Sequence, residues 1–170
     1  MNYSGRITDV SGLRVGQHTD TENGTGCTVL LCDQPANAGI EVRGAAPGSR
    51  ETALLDPLAS AQWGNGIVLT GGSGFGLDSV GGVVRYLEEK GVGIKFGRSH
   101  IPLVPGAVVF DLGFMNHSVR PTARDAYAAA ATASVEFTTG NAGAGTGATV
   151  AKLLGATKSI KGGIGTASIR

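Results

Sequence analysis

The chain has 170 residues, close to the usual size of one domain, and a single core can stabilise that length without disulfides. Its 14 Lys and Arg residues nearly balance 13 Asp and Glu residues, so the net charge of +1 provides no excess for binding nucleic acid or an acidic membrane surface. Only 16% of the residues are charged, below the usual share of about 25%, which favours a folded protein with buried sheets or subunit contacts. We therefore treat residues 1–170 as a single domain.

Glycine is the most unusual part of the composition. The chain contains 29 glycines, more than twice the usual share of about 7%, without the three-residue period of collagen. We expect these glycines in loops, bulges and places where two segments of backbone approach closely.

Several features predict a cytoplasmic protein. The N-terminus has no signal-peptide-like apolar segment, and no run of 18 apolar residues could span a membrane. Cys27 and Cys32 are five residues apart in a strand-like run, so they should face opposite sides of the strand and form no disulfide. With three histidines elsewhere, they do not make a convincing metal site, and we expect buried thiols in a reducing compartment.

The sequence alternates short predicted strands with turns and two helices. The predicted strands, in chain order, are residues 12–17, 27–32, 39–43, 67–70, 93–96, 107–111 and 164–169. Apolar residues at three- and four-residue spacing from Leu77 to Leu87 predict a helix with Gly91 just beyond its last turn. Pro121 suits the first turn of a second helix, residues 121–135, which has a small alanine face.

Residues 71–76 form a Gly-Gly-Ser-Gly-Phe-Gly segment between a predicted strand and a predicted helix. Leu77 stands where the dinucleotide-binding motif needs its third glycine, and no Gly-Lys-Ser/Thr follows as in a P-loop. Phe75 replaces the last glycine of a nucleophile elbow. The segment is therefore a tight structural turn or the wall of a substrate pocket. The glycine-rich residues 143–148 follow the end of a predicted helix, which is the wrong context for nucleotide binding.

Six sequence blocks in a fixed order are more specific than any one motif. They are residues 7–16, 43–57, 69–78, 104–112, 140–149 and 161–168. The last three read Val-Pro-Gly-Ala-Val-Val-Phe-Asp-Leu, Gly-Asn-Ala-Gly-Ala-Gly-Thr-Gly-Ala-Thr and Lys-Gly-Gly-Ile-Gly-Thr-Ala-Ser. Together they resemble the N-terminal part of the L-aminopeptidase/D-esterase family, whose members include D-aminopeptidases, β-peptidyl aminopeptidases and nylon-oligomer hydrolases. The resemblance covers essentially the whole chain.

The resemblance implies an α/β (α+β) protein with a four-layer α/β/β/α sandwich, related to ornithine acetyltransferase, of which this chain is the N-terminal portion. Members of the family cut themselves into α and β chains, and the new N-terminal Ser or Thr of the β chain is the nucleophile. A terminal amine with a pKa near 8 can serve as the base for its own hydroxyl. The mechanism needs no cofactor and no metal.

The resemblance also implies that the chain is incomplete as a catalyst. The nucleophile and the oxyanion-hole Asn of the family lie beyond the point that matches Arg170, and neither Thr166 nor Ser168 matches the nucleophile. We expect most of an α subunit or a truncated precursor, inactive alone. Its partner would be the β chain or C-terminal half, within an oligomer of αβ units.

One catalytic position carries over by resemblance. Lys152 matches the lysine that nylon-oligomer hydrolases place near the nucleophile, where an ammonium could lower the pKa of the nucleophile or support the oxyanion. Substrate-binding positions predicted from the family blocks are Gly72, Ser73, Gly74, Phe75 and Asn141.

The sequence thus predicts a peptide- or amide-bond hydrolase of the self-processing N-terminal-nucleophile type, acting as an aminopeptidase on small peptides or amides. One alternative is an acyltransferase on the same fold, because an amine can intercept an acyl-enzyme. The other is a non-catalytic assembly module that lacks the nucleophile.

Overall fold

The structure is a computed structural model that describes residues 4–61 and 63–169. Predictions about the first residues of the chain and about Arg170 involve positions outside these ranges. Within them the strands are β1 (Leu13–Asp20), β2 (Thr25–Asn37), β3 (Ser49–Arg50), β4 (Trp63–Thr70), β5 (Ile94–Phe96), β6 (Ser99–Ile101), β7 (Gly106–Val108), β8 (Thr149–Val150) and β9 (Ile160–Lys161).

Five of these strands form a mixed sheet in the order β1-β2-β4-β7-β3, while β5 with β6 and β8 with β9 form small hairpins. We call this five-stranded sheet the main sheet. In it β4 and β7 run parallel, and the other neighbouring strands are antiparallel. The parallel pair matters for function because the carboxyl ends of parallel strands lie at the same edge of the sheet, where the following loops meet.

Two helices, α1 (Val80–Glu89) and α2 (Ala123–Ala131), pack against each other and against the sheet. The predicted end of α1 is confirmed: Gly91 has a φ of +70°, and Val92 N–H donates to the Leu87 carbonyl at 2.9 Å. The predicted start is wrong by three residues, since Ser73–Ser79 is a 3-10 helix and α1 begins at Val80.

The hydrophobic core lies on the helix-covered face of the sheet. Val29, Leu31 and Val68 of the sheet are fully buried there, and the helices contribute Val80, Val83, Leu87, Ala126, Ala129 and Ala130. In β4 the residues on either side of Val68 point to the opposite face of the sheet, where Ile67 and Leu69 are 39% and 40% exposed. In the described residues, α-helices therefore cover the five-stranded sheet on one side only.

Besides the start of α1, the strand predicted at residues 107–111 differs because β7 ends at Val108, and three further elements differ from the structure. Residues 39–43 form no strand and are mostly exposed, while β2 continues through a bulge as far as Asn37. Helix α2 spans nine residues rather than the predicted 121–135, because the chain then turns so that Ser134 pairs with Val15 of β1. In residues 164–169 only Ile164 forms a β-bridge, to Gly140.

The cysteines agree with the prediction of buried thiols only in part. Both are free, Cys27 being buried in the core and Cys32 half-buried. Burial raises the pKa of the Cys27 thiol to about 12, so it is an inert structural thiol. In the described part of the chain, no helix combines the length and apolar character that a membrane crossing requires.

Candidate active site

The loops that follow β4 and β7 meet at one edge of the sheet. β4 ends at Thr70 and leads into the glycine-rich residues 71–76, and β7 ends at Val108 and leads into residues 109–120. The two loops are joined directly, since Ser73 N–H donates to the Val109 carbonyl at 3.1 Å. We refer to residues 71–76 as the first glycine loop.

The backbone conformation and close contacts of the first glycine loop leave little room for side chains at some of its positions. Gly72 has a φ of +83°, and Ser73 has a φ of +53°, which is uncommon for a residue with a side chain. A methyl group at Gly71 would overlap the side chains of Asp111 and Thr25. Gly71 is therefore needed for close packing around a polar centre, and Gly72 for the positive φ.

Asp111 is that polar centre. Its side chain is 6% exposed, and its carboxylate accepts hydrogen bonds from Thr25 Oγ1 at 2.7 Å and from Gly72 N–H at 2.6 Å. Gly147 packs against the same carboxylate so closely that a methyl group there would overlap it. Asp111 thus fixes the first glycine loop relative to the start of β2 and to a second glycine-rich segment. Sequence reasoning missed this residue, although it lies in one of the six blocks, residues 104–112.

The second glycine-rich segment, residues 140–147, is anchored on the main sheet by its backbone. Gly143 N–H donates to Thr19 Oγ1 at 2.9 Å, and Ala144 N–H donates to Thr28 Oγ1 at 3.1 Å. A methyl group at Gly143 would overlap Thr28 Oγ1. We call residues 140–147 the second glycine loop. It lies beside the first, with Asp111 between them.

The two glycine loops hold the predicted substrate-binding residues in different environments. Gly72 is buried and Ser73 is half-buried, whereas Gly74 is exposed and Phe75 is 58% exposed. Asn141 is exposed on the second glycine loop. Their positions on adjacent loops are compatible with a shared pocket wall, and their roles stay predictions.

Two lysines that follow the second glycine loop differ in their hydrogen bonds. Lys152 is exposed, and its Nζ donates to the Thr149 carbonyl at 2.6 Å, three residues earlier. Lys161 is instead the lysine that contacts the second glycine loop: its Nζ donates to the carbonyls of Gly145 at 2.7 Å, Gly162 at 2.8 Å and Ala148 at 3.2 Å. The role assigned to Lys152 by resemblance stays a prediction.

Lys161 is an exposed residue, like Lys152, but its ammonium lies among backbone carbonyls and beside an aromatic ring. Its ammonium lies 5.6 Å from the centre of the Phe114 ring, and partial burial lowers the pKa of the Lys161 amine. Sequence reasoning missed Lys161, although the residue opens the block Lys-Gly-Gly-Ile-Gly at 161–165. The signal was present in that block, but a single lysine is ordinarily a surface charge.

The hydroxyl residues near the end of the chain have other partners. Thr166 Oγ1 accepts a hydrogen bond from Ile7 N–H at 2.8 Å, and Ser168 Oγ donates to Asp9 Oδ2 at 3.0 Å. Both therefore hold the N-terminal turn. Among residues 4–61 and 63–169, no three side chains of the types His, Cys, Asp and Glu are grouped as metal ligands.

Comparison with solved structures agrees with this fold. A protein of Pyrococcus horikoshii OT3 matches 84% of the chain with a TM-score of 0.63 and 25% identity, over 44% of its own length. The L-aminopeptidase D-Ala-esterase/amidase of Ochrobactrum anthropi, described as a variant of the Ntn hydrolase fold, matches 86% of the chain with a TM-score of 0.67 and 19% identity, over 47% of its own length. These likenesses confirm the predicted fold class.

Sequence comparison identifies the family. An uncharacterized aminopeptidase of Mycobacterium tuberculosis is 42% identical over 170 residues, which cover 95% of this chain and 47% of that protein. A 6-aminohexanoate-oligomer endohydrolase of Paenarthrobacter ureafaciens is 30% identical over 146 residues, which cover 85% of this chain and 39% of that protein. The chain thus spans about half the length of the curated relatives it matches. The model of peptidase family S58 matches residues 5–170, so this chain belongs to peptidase family S58.

Proposed function

We propose that the protein is a hydrolase of peptide or amide bonds with an N-terminal nucleophile, acting as an aminopeptidase on small peptides or amides. The observation that carries the proposal is the match of the S58 family model to residues 5–170, which include both glycine loops and Asp111. Relatives named as an aminopeptidase and as an oligomer endohydrolase both act, by their names, on amide bonds.

The nucleophile is the Ser or Thr that self-cleavage would expose on a β chain contributed by the remainder of the protein. The free amine of that residue would accept the proton from its own hydroxyl as the hydroxyl oxygen attacks the carbonyl carbon. The amide nitrogen would leave as an amine with a proton, and water would release the acyl group. Backbone and side-chain donors would hold the oxyanion.

The open face of the main sheet supports the existence of this second half. Ile67, Leu69 and Leu30 line an apolar groove there, together with Ile164 and Phe137. Covering such a surface gains roughly 25 cal/mol for each Å² removed from water. A second sheet on this face would complete the four-layer sandwich, and we extend the proposal to an oligomer of αβ units. The free thiols support its cytoplasmic location.

The proposal is tested with the full gene product and with residues 1–170 as a separate chain. We expect mass spectrometry of the full product to show two fragments, the second beginning with Ser or Thr, and we expect hydrolysis of amino-acid p-nitroanilides. The separate chain should be inactive. A full product that stays uncut and hydrolyses no amide would contradict the proposal, and activity of the separate chain would contradict the assignment of the nucleophile.

The two lysines are tested in the same assay. Lys152 is the candidate from family resemblance, and Lys161 is the candidate from geometry because its ammonium contacts the second glycine loop. A preorganised cation contributes about 10²–10³-fold to turnover, so the functional lysine should lose that factor on substitution by methionine. We expect Lys161→Met to lower kcat more than Lys152→Met. A larger loss of kcat in Lys152→Met than in Lys161→Met would instead support Lys152 as the functional lysine.

A further inference from the structure

The guanidinium of Arg120 stacks on the exposed aromatic ring of Phe75 in the first glycine loop. Arg120 Cζ lies 3.9 Å from the centre of the ring, the shortest of the cation–π distances in the described part of the chain. Stacking fixes the plane of the guanidinium and leaves the N–H edge of that plane available for hydrogen bonds.

One hydrogen-bond donor of this guanidinium is unmet. Arg120 Nε is buried and has no hydrogen-bond partner among the described residues. No described carboxylate forms an ion pair with Arg120, whereas Arg6 and Arg14 pair with acidic side chains at 2.8 Å each. A buried charged donor without a partner is costly, so its retention requires an explanation.

Arg120 is also held in a fixed position by the backbone on both sides. Before it, Asn116 N–H donates to the Asn23 carbonyl at 3.2 Å, and Asn116 Nδ2 donates to Asn23 Oδ1 at 2.8 Å. After it, the buried Pro121 leads into the capping box of α2 at Thr122. The guanidinium is therefore preorganised and loses little freedom on binding a ligand.

The position of Arg120 is next to the candidate active site. A methyl group built on Gly72 would lie 3.0 Å from Arg120 Cβ, and Gly72 N–H is the group bound by Asp111. Arg120 and Phe75 therefore form the outer side of the first glycine loop, whose inner side contacts the buried carboxylate.

We propose that Arg120, held against Phe75, binds a carboxylate of the substrate, and that the enzyme prefers short peptides that carry one. This inference rests on the proposed function. A carboxylate suits the site because two parallel N–H···O bonds match the edge of a stacked guanidinium. The carboxylate could be the C-terminus of a short peptide or an acidic side chain.

The experiment compares three substrates of the full gene product: a dipeptide acid, its C-terminal amide, and an amidated dipeptide whose second residue is aspartate. The measured quantity is the ratio of kcat/KM for the carboxylate-bearing substrate to kcat/KM for the neutral amide. We expect wild type to favour one carboxylate-bearing substrate by about 10-fold to 100-fold, mainly through KM. The favoured substrate identifies the source of the carboxylate.

Variants test the assignment to Arg120. Arg120→Gln should bring the ratio close to one, and Arg120→Lys should restore part of the preference, because it keeps the charge without the planar fork. The matched control is Arg124→Gln, an exposed arginine in α2, which should keep the wild-type ratio.

Each other outcome overturns the inference. Equal rates for acids and amides in wild type would remove the subsite and leave the proposed function intact. If wild type cleaves none of the substrates, the proposed function fails and the subsite fails with it. If Arg120→Gln lowers Tm and slows all three substrates equally, Arg120 has a structural role only.

Discussion

The carboxylate of Asp111 links the first glycine loop to the start of β2, and it packs against the second glycine loop. Asp111→Ala would leave Thr25 Oγ1 and Gly72 N–H without their acceptor in a buried place. We expect the free energy of unfolding to fall by about 2–4 kcal/mol, measured by urea denaturation. The exposed Asp78→Ala is the control and should stay within about 0.5 kcal/mol of wild type. Equal effects of the two substitutions would contradict this role for Asp111.

Asp9 is a second residue whose role can be measured, because its carboxyl has a lowered pKa in the folded protein. Burial by itself raises the pKa of Asp9, but hydrogen bonds from Ser4, Arg6 N–H and Ser168 outweigh it and bring the pKa to about 2. A lowered folded-state pKa stabilises the fold above the unfolded-state pKa of about 3.9, and this contribution is lost as pH falls towards 2.

We therefore expect acid to release the last residues from the N-terminal turn between about pH 4 and pH 2. Hydrogen exchange at residues 164–169 measures the release, because Ser168 is tied to both Asp9 and Gly5. Asp9→Asn should show fast exchange already at pH 6. Slow exchange in that variant would mean that the carboxylate does not hold the segment.

At the scale of elements, the two helices pack through a glycine contact. A methyl group on Gly82 of α1 would overlap the backbone carbonyl of Ala123 in α2, whereas Gly81 has open space around its Cβ position. Glycine-to-alanine changes normally stabilise a helix by about 0.5–1 kcal/mol. We expect that gain for Gly81→Ala, but a loss of about 1–3 kcal/mol for Gly82→Ala from overpacking. Thermal unfolding of the pair measures the difference, and stabilisation by both changes would contradict the close packing.

The elements also explain what sequence reasoning could predict. The end of α1 was predictable because its signals, the apolar spacing and Gly91, are local. The end of α2 was not, because it depends on the pairing of Ser134 with Val15 across the fold. From its sequence, the first glycine loop was predicted to be a tight structural turn or a pocket wall, and a binding role for Asn141 came only from the family resemblance. The importance of Asp111 was not predicted, because its partners are 39 and 86 residues away in the chain.

For the whole molecule, the two faces of the main sheet differ in how well they are covered, and this difference predicts self-association. One face carries the helices and the core, and the other exposes Ile67, Leu69 and the groove beside them. An apolar face of this kind drives association when nothing covers it. We expect residues 1–170, prepared alone, to self-associate in light scattering and to bind a hydrophobic dye.

A charge placed on the open face tests this expectation. Leu69→Lys should shift residues 1–170 towards the monomer, because an ammonium in a covered apolar surface is costly. In the full gene product the same change should impair assembly with the second half and so reduce self-cleavage. Leu58→Lys is the matched control, since Leu58 is 96% exposed and lies away from the groove. A monomeric wild-type chain with cooperative unfolding would show that this face needs no partner, and the second half would then have to dock elsewhere on the sheet or on the helices.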